Sequence, residues 1–123
     1  METYKEFMFE AAHQLQPYSG LHGHSFKVGV HLIGEPDPVF GWSANLYEVE
    51  KSIEVLRQKL DHRYLNEIDG LDTPSLENLA RWIWEGLEAD FPALDRIEVK
   101  RGPEGQAEGC VYRGPAERQK GAA

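Results

Sequence analysis

The chain has one cysteine, no long apolar run and no surplus of positive charge, and each shortage closes off a class of function. Cys110 alone makes no internal disulfide and no thiolate metal site, which fits a reducing cytoplasm. No apolar stretch approaches the roughly 18 residues a membrane span needs. Met1-Glu2-Thr3-Tyr4-Lys5-Glu6 shows no basic region followed by an apolar core, so no signal peptide is expected. Asp and Glu number 21 against 13 Lys and Arg. The resulting charge of −8 repels phosphate backbones and anionic membranes, so neither nucleic acid nor a membrane is expected as a partner. What remains is ordinary for a folded domain. At 123 residues, 41% of them hydrophobic, the chain can build one core without covalent staples and is too apolar to be disordered throughout.

Hydrophobic periodicity divides the chain. Between Tyr4 and His13, Phe7, Phe9, Ala11 and His13 share one parity, and Met8, Glu10 and Ala12 the other, which predicts a strand. Pro17, Ser19, Gly20 and Gly23 mark a loop. The run from His24 to Ile33 alternates again, with Phe26, Val28, Val30 and Leu32 on one face, until Gly34-Glu35-Pro36-Asp37-Pro38 stops it. Leu46, Val49, Ile53, Leu56 and Leu60 then step at helical spacing, with Asn45 and Glu48 placed for a capping box. The segment from Asp61 to Gly70 breaks the pattern. A second helix is expected from near Ser75, behind Pro74, to about Ala89, its apolar face widened by Trp82 and Trp84. Ile97, Val99 and Arg101 read as a third strand, residues 102–109 as a turn, and Cys110-Val111-Tyr112 as a fourth strand. This order predicts an α+β fold, two helices on one face of a four-stranded, mainly antiparallel sheet. Residues 1–114 would form one domain and 115–123 a frayed tail. The open edges and the only partly polar bare face predict a homo-oligomer.

Three of the five histidines fall within twelve residues. His22 and His24 leave an extended chain on the same side. His13 ends the preceding strand, and antiparallel pairing across the loop brings it beside them. Three imidazoles with a fourth position open are the pattern of a catalytic zinc. The His-Gly-His word by itself reads equally well as a surface turn; His13 is what favours the metal. Gly23 between the two histidines would permit a close backbone approach. His31, of opposite parity, reads as a sheet-face or interface residue without chemistry. Asp61 can hold His62 in one tautomer and raise its basicity, though the pair serves equally well as a helix stop.

Read in order, Phe9-Glu10-Ala11-Ala12-His13, Leu21-His22-Gly23-His24-Ser25-Phe26 and Gly41-Trp42 resemble a known family. Leu60-Asp61-His62 with Leu65-Asn66, Pro74-Ser75 with Glu77-Asn78-Leu79-Ala80, Trp82-Ile83-Trp84 and Val111-Tyr112-Arg113-Gly114 complete the match. The family is that of the 6-pyruvoyl-tetrahydropterin synthases and the bacterial 6-carboxy-tetrahydropterin synthases of the 7-deazaguanine (queuosine) pathway. The resemblance implies a tunnelling fold (T-fold), with three β-β-α-α-β-β subunits closing a barrel and two trimers forming a hexamer. It implies zinc on His13, His22 and His24, holding the side-chain oxygens of 7,8-dihydroneopterin triphosphate and easing deprotonation of the adjacent carbon. It also implies a cysteine base, proton relay by Asp61 and His62, and a glutamate that anchors the pterin's amino-pyrimidine edge.

The chain departs from that pattern twice. Tyr18 stands where the cysteine is expected, and a phenol, with a reference pKa near 10 against about 8.5 for a thiol, is the poorer base. For the glutamate, counting forward from Val99-Lys100 gives Arg101 and counting back from Gly109-Cys110 gives Glu104; Glu104 is the expected anchor. The expected function is a zinc-dependent lyase making a 6-substituted tetrahydropterin, with the 6-carboxy product preferred. The alternatives are a zinc-bearing pterin-binding protein that lost its base, or an enzyme of another pterin side-chain reaction such as aldol cleavage.

Overall fold

A computed structural model describes residues 1–17 and 20–116 of the protein. Tyr18 and residues 117–123, most of the expected tail, lie outside the described residues. The elements are β1 (Glu2–His13), β2 (His22–Ile33), α1 (Leu46–Leu60), β3 (Arg63–Tyr64), α2 (Leu76–Leu87), β4 (Leu94–Arg101) and β5 (Glu108–Tyr112). They form an α+β arrangement with a single sheet of order β3-β1-β2-β4-β5. Every pairing is antiparallel except β1 with β3.

The sheet has five strands, not four. β3 lies in the segment where the sequence pattern lapses, and two residues are too few to show a period. Its place is fixed by backbone bonding: the His62 amide donates to the Glu10 carbonyl at 2.6 Å, which lays Arg63 and Tyr64 beside Ala11 and Ala12. The long strands also exceed their expected limits, because ladder pairing continues past the alternating stretch. β1 and β2 pair without a break from Glu2↔Ile33 to His13↔His22.

The apolar parity of each strand faces the helices. Phe9, Phe26, Val28, Val30, Leu32, Ile97 and Val99 are buried there, and the Phe9 and Phe26 rings stack at 4.9 Å. Val49, Ile53, Leu56 and Leu60 of α1 and Leu79, Ile83 and Leu87 of α2 close over them. Each such side chain taken out of water contributes roughly 1.5–3 kcal/mol. α1 packs on β1, and α2 on β4 and β5. The Asn45 Oδ1 accepts from the Tyr47 amide at 3.0 Å and caps α1. The capping box is only half formed, since the Glu48 carboxylate turns to Lys51 at 3.4 Å. Among the described residues no helix is long and apolar enough to cross a membrane.

The bare face of the sheet is charged, with Tyr4, Met8, Ile33 and Val111 exposed among the ions. His31 sits there, donating from Nδ1 to the Glu2 carboxylate at 2.9 Å and stacking on Tyr4. Arg96 bonds Glu2 at 2.7 Å and Glu98 at 3.2 Å. Arg96 first, and His31 second, hold the Glu2 carboxyl at about 2, below its ordinary 4.5. A depressed carboxyl pKa adds stability that is complete above the ordinary value and lost as pH falls towards the folded one. A Glu2→Gln variant is therefore expected to lose less of its melting temperature than the parent between about pH 5 and pH 2. Parallel melting curves over that range would contradict the assignment.

Candidate metal centre and its surroundings

The pairing that builds the sheet also assembles the histidines. His13 lies directly across from His22, and His24 opposite Ala11, so the three rings gather at the open end of the β1–β2 pair. Their centroids are 4.7 to 5.1 Å apart, each ring edge-on to the others. One ring nitrogen from each lies within 4.8 Å of the others. His13 is fully buried. The His-Gly-His word is therefore not a plain surface turn. Gly23 is not demanded by crowding, since an added Cβ would meet the Ala11 carbonyl at 3.5 Å, an ordinary contact.

Backbone carbonyls fix the tautomers. A carbonyl oxygen only accepts, so a ring nitrogen bonded to one must carry the proton. His13 donates from Nδ1 to the Pro74 carbonyl at 2.9 Å, and His22 from Nδ1 to the Gly20 carbonyl at 2.7 Å. Each neutral ring then has only a lone pair at Nε2, and these two Nε2 atoms face each other at 3.1 Å. The third, Nε2 of His24, is buried with no hydrogen-bond partner. Adding a proton would relieve the clash of lone pairs, but burial foremost pushes His13 and His24 below the ordinary imidazole range. A metal cation relieves it without charging a buried ring. Two nitrogens each about 2.0–2.1 Å from a tetrahedral zinc lie about 3.3 Å apart, close to the spacing between His13 and His22. The donor set fits zinc, and carbonyl-held Nδ1 atoms are the usual outer support of such ligands.

The residues that hold His13 in place come from words whose roles the sequence did not disclose. Asn66 brackets the end of β1, accepting from the Gln14 amide at 2.9 Å and donating to the Gln14 carbonyl at 2.8 Å. Pro74 precedes Ser75, whose Oγ caps α2 by accepting from the Asn78 amide at 3.1 Å. Asn78 in turn donates to the Thr73 carbonyl at 2.8 Å. The start of α2 thus delivers the Pro74 carbonyl to His13.

Asp61 and His62 lie on the other flank of β1. Asp61 Oδ1 accepts from the Glu10 amide at 2.9 Å, and its Oδ2 accepts from His62 Nδ1 at 2.9 Å and Arg57 Nη1 at 3.0 Å. The Glu10 amide foremost, then His62 and Arg57, hold the Asp61 carboxyl below its usual range. The His62 ring is 78% exposed, with Nε2 free to meet a ligand, and its backbone has φ 59°. That left-handed conformation is strained for a residue with a Cβ, typically by about 1–3 kcal/mol. His62 and His24 share a shallow groove with Glu10, Ser25 and Tyr64.

The other expected site residues separate. Arg101 ends β4 opposite Phe26, on the helix-covered side, and its charge adds to the downward push on His13 and His24. β4 runs unbroken from Arg96 through Arg101 into pairing with Glu108, so Arg101 continues the strand and residues 102–107 form the turn. Glu104 is exposed in that turn, beside Glu6, Lys27 and Lys100 of the bare face. Arg101, not Glu104, neighbours the histidines within the chain. Cys110 is half-buried opposite Val99, and burial pushes its thiol up, away from what a base requires.

Sheet, helices and the three-histidine end define a T-fold subunit. The 6-pyruvoyl tetrahydropterin synthase family profile matches residues 2–115, and the chain belongs to that family. It is 40% identical over 106 residues to a 6-carboxy-5,6,7,8-tetrahydropterin synthase of Synechocystis, covering 78% of this chain and 82% of that protein. It is 34% identical over 101 residues to a dihydroneopterin monophosphate aldolase of Pyrococcus furiosus, covering 78% of this chain and 85% of that one. The structure of a 6-pyruvoyl tetrahydropterin synthase from Caenorhabditis elegans superposes with a TM-score of 0.83 at 23% identity, over 94% of this chain and 96% of that one.

Two variants test the site. His22→Ala is expected to lose stoichiometric zinc by elemental analysis while keeping the fold, and full retention of zinc would refute the ligand set. Asn66→Ala, which frees both backbone groups of Gln14, is expected to weaken zinc binding by about 10- to 100-fold in chelator competition. Unchanged affinity would show that Asn66 does not hold His13.

Proposed function

We propose that the protein is a zinc-dependent lyase converting 7,8-dihydroneopterin triphosphate to a 6-substituted tetrahydropterin, with 6-carboxy-5,6,7,8-tetrahydropterin as product, in the queuosine branch. The observation that carries the reading is the convergence of one ring nitrogen from each of His13, His22 and His24, with the tautomers of His13 and His22 fixed by backbone carbonyls. The 40% identity to a 6-carboxy-tetrahydropterin synthase supports the choice of product. Zinc held there supplies Lewis acidity to the oxygens of the pterin side chain and so acidifies the neighbouring C–H bond.

The chain's own groups do the rest. Pro74 and Gly20 keep His13 and His22 in the tautomer that presents Nε2. Asp61 keeps the proton of His62 on Nδ1, so His62 takes up and returns a proton at Nε2. Tyr18, at the position of the family's cysteine, is less ionised at neutral pH than a thiol and so less available as a base, which leaves more of the proton transfer to His62. The barrel and hexamer are proposed on the unpaired edge of β1 below β3, the free edge of β5, and the exposed Val39, Phe40 and Trp42.

A second reading is retro-aldol cleavage of a dihydroneopterin side chain, favoured by the 34% identity to the aldolase and by Tyr18 in place of a thiol. Incubation with 7,8-dihydroneopterin triphosphate and with the monophosphate, followed by mass analysis, separates the two. A 6-carboxy-tetrahydropterin supports the first reading and a 6-hydroxymethyl-dihydropterin the second. Binding without either product overturns both and leaves a pterin-binding scaffold. Under the first reading, Tyr18→Cys is expected to raise turnover by about 100-fold. Light scattering should give a mass near six times 14.0 kDa, and a monomer at micromolar concentration would refute the assembly.

A further inference from the structure

Arg101 is out of place for a site built only to hold a metal. It lies on the helix-covered face, its side chain 19% exposed, where its charge bears on both His13 and His24. The same nitrogens present lone pairs that attract a cation. A fixed guanidinium beside them opposes metal binding unless a negative group joins the site. Glu108 does not fill that role fully. It is 67% exposed, and Arg101 Nε and Nη2 both bond its single Oε1, each at 2.8 Å. The Nη1 donors of Arg101 have no partner among the described residues. A guanidinium fork held by one edge, with its other donors open on the face that carries His13 and His24, is suited to a second acceptor with two oxygens.

We propose that Arg101 binds an anionic group, phosphate or carboxylate, on the molecule that the three histidines hold, with Glu108 keeping the guanidinium in position. This deepens the pterin reading and rests on it for the rest of the ligand. The amino-pyrimidine edge of a pterin offers N–H donors, and a guanidinium is donor-only, so Arg101 is matched to an acidic side chain and not to that edge. It becomes the residue that selects an acid-bearing pterin over a neutral one. A charge-assisted pair of hydrogen bonds corresponds to a preference of about 10-fold or more.

The test is calorimetric titration of zinc-loaded protein with neopterin, neopterin monophosphate and 6-carboxypterin, and separately with inorganic pyrophosphate. Wild type is expected to bind at least one of the two acidic pterins about 10-fold or more tighter than neopterin. The one preferred identifies phosphate or carboxylate as the group recognised. Arg101→Gln should abolish the preference while neopterin affinity and zinc content stay unchanged. Glu108→Gln should reduce the preference without abolishing it, since the guanidinium keeps its charge but loses the carboxylate that holds it in position; a purely structural role for the Arg101–Glu108 pair would instead lower neopterin affinity in both variants. No preference in wild type, or a preference that survives Arg101→Gln, overturns the proposal. If wild type binds no pterin, the pterin reading fails on its own. Pyrophosphate then decides: binding lost in Arg101→Gln supports the anion site, and binding that is absent or indifferent to Arg101 overturns it.

Discussion

Two imidazole lone pairs held 3.1 Å apart are the constraint on which the site depends. The arrangement is imposed by the backbone. The Pro74 and Gly20 carbonyls each accept a hydrogen bond from an Nδ1–H, so neither ring can turn its N–H towards the other. Unbroken β1–β2 pairing sets His13 directly across from His22, and the loop carrying Asn66 clamps the chain just beyond His13. The Nε2 atom of His24 is buried beside them with no hydrogen-bond partner among the described residues. Two facing lone pairs beside an unpaired buried nitrogen are costly by themselves, since buried polar atoms are nearly always paired. The arrangement becomes favourable once a cation is shared among them, and binding energy then becomes stability.

The sheet keeps its two faces distinct, and the chemistry lies at one end of both. The helix-covered face is apolar through Phe7, Phe9, Phe26 and Val28 and turns polar at the histidines and Arg101 at this end of the sheet. The bare face carries ion pairs, with Glu10 accepting from Ser25 Oγ at 2.8 and 2.7 Å near the groove shared with His62. Asp61 terminates α1, bonds the Glu10 amide on the edge of β1 and holds His62, which lines that groove. A helix end thus places Asp61 and His62, the proposed proton-transfer pair, and a strand end places the proposed metal ligands, on opposite flanks of the same strand. The strained backbone of His62 is tolerated because the β3 pairing and the Asp61 bond fix it from both sides.

Much of this was legible in the sequence. Alternation along β1 and β2 revealed both strands, and strand geometry alone brought His13 to His22 and His24. The helical stripe from Leu46 to Leu60 was equally plain. β3 was not, because a two-residue parallel strand is specified by a backbone bond to Glu10 and not by any side-chain pattern. The support of His13 was hidden for a related reason: Pro74 and Gly20 act through carbonyls, which every residue has. Arg101 and Glu104 could be counted into the same place until the ladder from Arg101 to Glu108 showed where the strand ends and the turn begins. The capping box was over-read, since Lys51 competes for the Glu48 carboxylate one turn on.

The central claim is that His13, His22 and His24 hold a zinc ion, with the Nε2 atoms of His13 and His22 preset by their Nδ1 bonds. Nitrogen NMR of histidine-labelled protein, metal-free and then with one zinc per chain, tests it most directly. The account predicts that His13 and His22 are Nδ1–H tautomers before metal is added. It predicts that zinc shifts Nε2 of His13, His22 and His24 while His31 and His62 stay unchanged. A proton on Nε2 of His13 in the metal-free protein, or zinc that shifts His31 or His62 in place of the three, would contradict it.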